Sequence, residues 1–143
     1  MKIFVDVRGW VELIDSQASH HPAVKESFGQ ALKNGDHFFT HNVAVGMAMD
    51  EIKRRCGAEA AVKFSEIIEE AHTGAHLSIL WVGRRTQKEA LRLARKYIHR
   101  DLGVYDCVAL VLMNRRRIRT ILTTNPAYDE LGLKVIPALA STG

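Results

Sequence analysis

Lys2-Ile3-Phe4-Val5-Asp6 is a mostly apolar run closed by one carboxylate, shortly before a helix-like stretch that starts at Gly9. Apolar residues in a run this short read as a strand. A charge at the carboxyl end of such a strand ordinarily serves chemistry, because open α/β sheets bind ligands there. A second acid has a comparable setting far along the chain. In Leu102-Gly103-Val104-Tyr105-Asp106-Cys107, Asp106 opens an apolar helix through Leu110, Val111 and Met113, at the end where a helix dipole is positive.

Working outward, apolar runs bounded by turns predict strands at 2–6, 37–40, 76–82, 119–123 and 133–136. Helical periodicity fills the gaps at 9–16, 22–34, 42–55, 58–72, 85–99 and 105–116, with stops at Asn34-Gly35-Asp36, Cys56-Gly57 and His72-Thr73-Gly74. Strands separated by helices imply crossovers and a mostly parallel sheet. The expected class is α/β, a three-layer α/β/α sandwich on a five-stranded sheet, with one domain over 1–137 and a loose tail over 138–143.

At 143 residues and 47% hydrophobic, the chain can bury one sizeable core and is short for two. No stretch approaches the roughly 20 apolar residues of a membrane span, and no signal-peptide pattern precedes the first strand. A cytoplasmic protein with no membrane partner is expected. Cys56 and Cys107 lack metal-ligand spacing and read as reduced thiols. A net charge of +4 favours a polyanionic partner. The excess is clustered: Arg84, Arg85, Lys88, Arg92, Arg95, Lys96 and Arg100 recur at helical spacing, and Arg115-Arg116-Arg117 with Arg119 follow a predicted helix. The first cluster suits either a solvated helix face or an RNA-contacting stripe. The second suits a helix C-terminus, whose dipole attracts cations.

The order of these elements resembles the PIN domain, especially the VapC-type toxins of toxin–antitoxin pairs. Ile3-Phe4-Val5-Asp6 followed by Gly9-Trp10 looks like the family's opening strand, acid and aromatic-bearing helix, and Thr40-His41-Asn42 like its second strand end. Leu102 to Cys107, Leu112-Met113-Asn114-Arg115, Ile121-Leu122-Thr123-Thr124-Asn125 and Leu131-Gly132-Leu133 then follow in the family order. The resemblance implies a metal-dependent endoribonuclease whose carboxylates gather around one or two Mg2+ or Mn2+ ions. It also implies RNA as substrate, an antitoxin-like protein as partner, and a homodimer.

Mapped by position, Asp6 and Asp106 match the family's first and third acids and are the expected metal ligands. Met47 stands where a glutamate is expected, Asn125 where an aspartate is expected, and Val7-Arg8 replace the small hydroxyl residue after the first acid. By resemblance, Asn125 would orient a metal-bound water and Thr123 would add a hydroxyl contact. Two carboxylates suffice for one hard cation completed by water or phosphate. They leave two ions about 4 Å apart with uncompensated repulsion of roughly 1–4 kcal/mol per charge pair. Asp50 and Glu51, a turn beyond Met47, read as a solvated face pairing with Lys53, Arg54 and Arg55, and Asp129 lies past Pro126 in a short helix. Arg8 is expected either to fold over Asp6 or Asp106 and neutralise the pocket, or to point into solvent at a helix start. The expected function is therefore a nuclease of weakened or lost activity, with a catalytically silent module binding RNA or protein as the alternative. A phosphoacceptor receiver domain is disfavoured, since Thr40, Val82 and Asn125 supply neither the aspartate nor the lysine it needs.

Overall fold

Five short strands form one sheet in the computed structural model, which describes residues 1–139. They are β1 (Lys2–Val5), β2 (His37–His41), β3 (Leu77–Leu80), β4 (Thr120–Leu122) and β5 (Lys134–Ile136), in the order β3-β2-β1-β4-β5. Every neighbouring pair is parallel. Parallel neighbours need crossovers. Two helices supply each of the first three: α1 (Val7–Ile14) and α2 (His21–Lys33), α3 (Asn42–Cys56) and α4 (Ala58–Thr73), α5 (Arg84–Lys96) and α6 (Val104–Arg116). A 3-10 helix, Pro126–Leu131, makes the last.

Alternate strand side chains point to opposite faces, and here both faces are apolar. Ile3, Val5, Phe38 and Leu122 pack with Trp10, Ile52, Phe64 and Ile68 beneath α1 to α4. Phe4, Phe39 and Ile121 pack with Ala90, Val108, Met113 and Tyr128 beneath α5, α6 and the 3-10 helix. The two cores make the expected three-layer sandwich, parallel throughout. Cys56 is exposed and Cys107 buried, both free. No helix of the described residues is long and apolar enough to cross a membrane.

Most boundaries fall within two residues of expectation, and two of the differences have evident local causes. α1 begins at Val7 rather than at residue 9, because the Asp6 side chain accepts the Gly9 N–H at 2.8 Å and starts the helix at once. β3 stops at Leu80, short of the predicted 82: Val82 N–H turns to Asn42 Oδ1 at 2.7 Å, and Trp81 leaves the sheet. α5 ends at Lys96, not 99. Of the predicted tail, Ala138 and Leu139 lie in neither helix nor strand, and 140–143 fall outside the described residues.

The chain order places β2 and β3 on one side of β1, and β4 and β5 on the other. The connections therefore reverse at β1/β4, the point where α/β sheets open a crevice beyond their carboxyl ends. Gly9 makes that crevice tight. A Cβ there would sit 2.3 Å from the Leu122 carbonyl oxygen and 2.9 Å from Val5 Cγ1, both fixed by the sheet. Gly9→Ala is expected to cost about 1–3 kcal/mol of stability by overpacking, measured by chemical denaturation. An unchanged midpoint would show that α1 shifts freely against β4.

Candidate active site

Asp6 follows β1 and caps α1; Thr123 follows β4, next to β1 in the sheet. Their adjacency lets Thr123 Oγ1 donate to Asp6 Oδ2 at 2.7 Å while Gly9 N–H donates to Oδ1 at 2.8 Å. Thr123 Oγ1 also accepts the Asn125 N–H at 3.1 Å. One carboxylate thus ties β1, α1 and β4 together. It is only 4% exposed. Taking a carboxylate out of water costs several kcal/mol, against about 1.5–3 kcal/mol for each hydrogen bond to a charged group. Burial wins, and the Asp6 carboxyl rises from 3.8 to about 7, with the charge of Asp106 pushing the same way.

Asp106 sits in the first turn of α6 and is similarly held. Its Oδ2 accepts the Gly103 N–H at 2.7 Å, which satisfies a free donor at the helix start. Its Oδ1 accepts from the Tyr128 hydroxyl at 2.8 Å. Burial and the charges of Asp6 and Asp106 hold the Tyr128 hydroxyl well above its ordinary range, so it remains a donor. The expected short helix past Pro126 is a 3-10 helix, and its Tyr128 is a part of the site that sequence reasoning missed. The available signal was Asn125-Pro126, a helix start that puts Tyr128 three residues on, within reach of an acid at the same edge.

The other two expected acid positions carry no acid. Met47 is exposed and lines a hollow of about 390 Å³ with Val7, Arg8, Val11, Glu12 and Thr124. Asn125 is fully buried and uses both ends of its amide: Oδ1 accepts the Ala127 N–H at 3.0 Å, and Nδ2 donates to the Asp101 carbonyl at 3.0 Å. Each end keeps a second lone pair or N–H, but the side chain is fully buried, away from any solvent water. Arg8 does not fold over the acids. It pairs with Asp101 at 3.6 Å, an exposed pair whose charge still lowers the Asp6 carboxyl slightly. Glu51 is held by Arg54 and, at 2.8 Å, by Arg55, as its helix-face pattern predicts. Asp50 and Asp129 are exposed.

Two further groups shape the site. Thr40 Oγ1 accepts from Trp10 Nε1 at 3.0 Å and donates to the Val5 carbonyl at 2.8 Å, which sets α1 against the β1 end. His41 Nδ1 accepts the Ala44 N–H at 2.9 Å and starts α3. Burial lowers its pKa to about 4, so it is a neutral imidazole in the wall of the cleft.

Among the described residues, no group of three or more His, Cys, Asp or Glu could hold a metal ion. Two carboxylates are hard oxygen donors, and that set fits one Mg2+ or Mn2+ completed by water or phosphate, not a two-ion cluster.

No protein-family model and no curated protein matches the chain. Solved structures do. It is similar to VapC20 of Mycobacterium tuberculosis, a sarcin–ricin loop cleaving toxin, with a TM-score of 0.80, 19% identity, and coverage of 92% of this chain and 95% of that one. It is also similar to VapBC2 of Rickettsia felis, solved bound to a DNA fragment from its promoter, with a TM-score of 0.67, 12% identity, and coverage of 94% and 97%. The fold is the PIN-domain fold of the VapC toxins.

Asp6 and His41 titrate with opposite sign. Asp6 binds its proton more tightly folded, so its contribution to stability is full below about 4 and is lost as pH rises through about 7. The contribution of His41 is present above 6.5 and is lost as pH falls through about 4. The two oppose each other in between. In metal-free protein, Asp6→Asn is expected to gain stability relative to wild type as pH rises from about 5 to about 8, by up to about 1.4 kcal/mol per pH unit. Denaturation midpoints at several pH values check this, and parallel curves would show that Asp6 titrates normally.

Proposed function

We propose that this is a PIN-fold protein of VapC toxin type whose metal-dependent endoribonuclease activity is weakened or lost. One observation carries the reading. Of the four positions that would supply acids, two hold carboxylates at one crevice, one holds an exposed methionine, and one holds an asparagine whose amide is already bonded at both ends. Asp6 and Asp106 would hold a single Mg2+ or Mn2+, which when bound would supply Lewis-acid stabilisation at a scissile phosphate. The chain's own residues orient those carboxylates. Thr123 and Gly9 fix the plane of Asp6, and Tyr128 and Gly103 fix Asp106. The burial that raises the Asp6 pKa also works against a cation, which needs the carboxyl ionised. An antitoxin-like protein is the proposed partner, in keeping with the likeness to VapBC2, and a homodimer is the proposed assembly. A cytoplasmic location and a single domain over 1–137 with a tail over 138–143 complete the proposal.

A second reading, a silent module that binds RNA or protein, is favoured by the satisfied state of the acids. Each of the four carboxylate oxygens already accepts an internal hydrogen bond, so the crevice is stable without a cation.

Purified protein with Mn2+ is expected to cleave structured RNA slowly, and Asp6→Asn to abolish the cleavage. Equal cleavage by both would identify a contaminant, and cleavage by neither would leave the silent reading. Met47→Glu is expected to tighten Mn2+ binding by at least about tenfold through a third carboxylate, read by calorimetry. Asn125→Asp is expected to lower stability by about 1–3 kcal/mol, because a carboxylate replaces the donor that faces the Asp101 carbonyl. A denaturation midpoint equal to wild type would show that this bond contributes nothing.

A further inference from the structure

The basic residues of α5 and those at the end of α6 are separate clusters in sequence, but the two helices pack side by side. A hollow of about 440 Å³ between them is lined from both, by Arg92 and Lys96 on α5 and by Asn114 and Arg115 on α6. Residues 84–119 hold eleven of the chain's twenty Lys and Arg but three of its sixteen Asp and Glu, so the rest of the molecule is net acidic. Glu89 bridges Arg115 at 2.9 Å and Arg85 at 3.7 Å. Among the described residues, no ion pair engages Arg84, Lys88, Arg92 or Arg116. Helix termination accounts for a few terminal cations. It does not account for Arg84, Lys88 and Arg92, which recur every four residues along α5.

Trp81 stands beside this face and is 76% exposed, whereas Trp10, the other tryptophan, is core. Leaving an indole in water forfeits the gain of burying a large apolar surface. The ring has a firm mount, since Val82 N–H donates to Asn42 Oδ1 immediately behind it. A hollow of about 270 Å³ next to it is walled by Ile79, Leu80, Leu112, Arg115 and Arg116. Trp81 follows β3, so it lies at the same edge of the sheet as Asp6, two strands and about 10 Å across. A flat aromatic surface with Arg116, a cation free of ion pairs, beside it and Arg84 three residues on is the arrangement on which single-stranded nucleic acid binds, through base stacking and phosphate contacts.

We propose that Trp81 and the basic α5/α6 face hold single-stranded RNA, with one base stacked on the indole and neighbouring phosphates met by Arg84 and Arg116. The choice of RNA rests on the nuclease reading above, while the binding itself needs no metal. The test is fluorescence anisotropy of a labelled oligouridine RNA against the full chain in EDTA, with circular dichroism to confirm that each variant folds. Trp81→Ala is expected to weaken binding by about 5- to 100-fold, and Trp81→Phe to restore most of it. Arg84→Ala and Arg116→Ala are each expected to reduce the slope of log affinity against log salt by about 0.7. Equal binding by wild type and Trp81→Ala overturns the proposal, as does the absence of wild-type binding. So does displacement by polyglutamate that is equal for both proteins, which would assign the face to an acidic polypeptide. Cleavage in Mn2+ is scored separately. Trp81-dependent binding without cleavage keeps this site and removes the nuclease, whereas cleavage with binding indifferent to Trp81 does the reverse.

Discussion

The Asp6 carboxylate is the joint on which the crevice depends. Within one side chain it starts α1 through Gly9 and locks β4 to β1 through Thr123. Neither partner would be in place without the parallel pairing of β1 and β4 at the sheet's reversal point. The same compactness that builds the joint removes it from water and drives the carboxyl to about 7. A well-made structural cap and a well-made cation ligand thus place opposing demands on one group. Hydrogen bonds from neutral donors favour the charge only partly, and the nearby charge of Asp106 works against it.

The architecture was legible because it rests on patterns that sequence displays directly. Apolar runs such as Lys2 to Val5 and Thr120 to Leu122 alternate with helical periodicity, and α/β layering follows from that alternation. The positions of Asp6 and Asp106 were legible too, as charges next to apolar runs. What stayed hidden were contacts made across long separations. Tyr128 meets Asp106 from a turn 22 residues on, and Thr123 meets Asp6 across 117 residues. Arg8 shows the limit of reasoning from sequence proximity. It stands two residues from Asp6, yet it is directed outward by the first turn of α1 to Asp101. A similar limit applied to the basic clusters, which appear separate until α5 is laid along α6.

The charge distribution gives the molecule two unlike sides. One is the basic pair α5/α6; the other includes α4, which carries Glu59, Glu66, Glu69 and Glu70 against Lys63 alone. Salt screens fields beyond about 10 Å at ordinary ionic strength, so such polarity acts mainly at close approach, where it orients an incoming polyanion.

Asn125 limits what its own position can hold. Its amide donates to the Asp101 carbonyl, and Asp101 lies in the segment that leads into α6 and Asp106. An asparagine at this position does more than lack a charge, because it braces the loop that carries Asp106. A carboxylate there would face the Asp101 carbonyl with no donor to offer. The loop would need another support before a charge could sit beneath it.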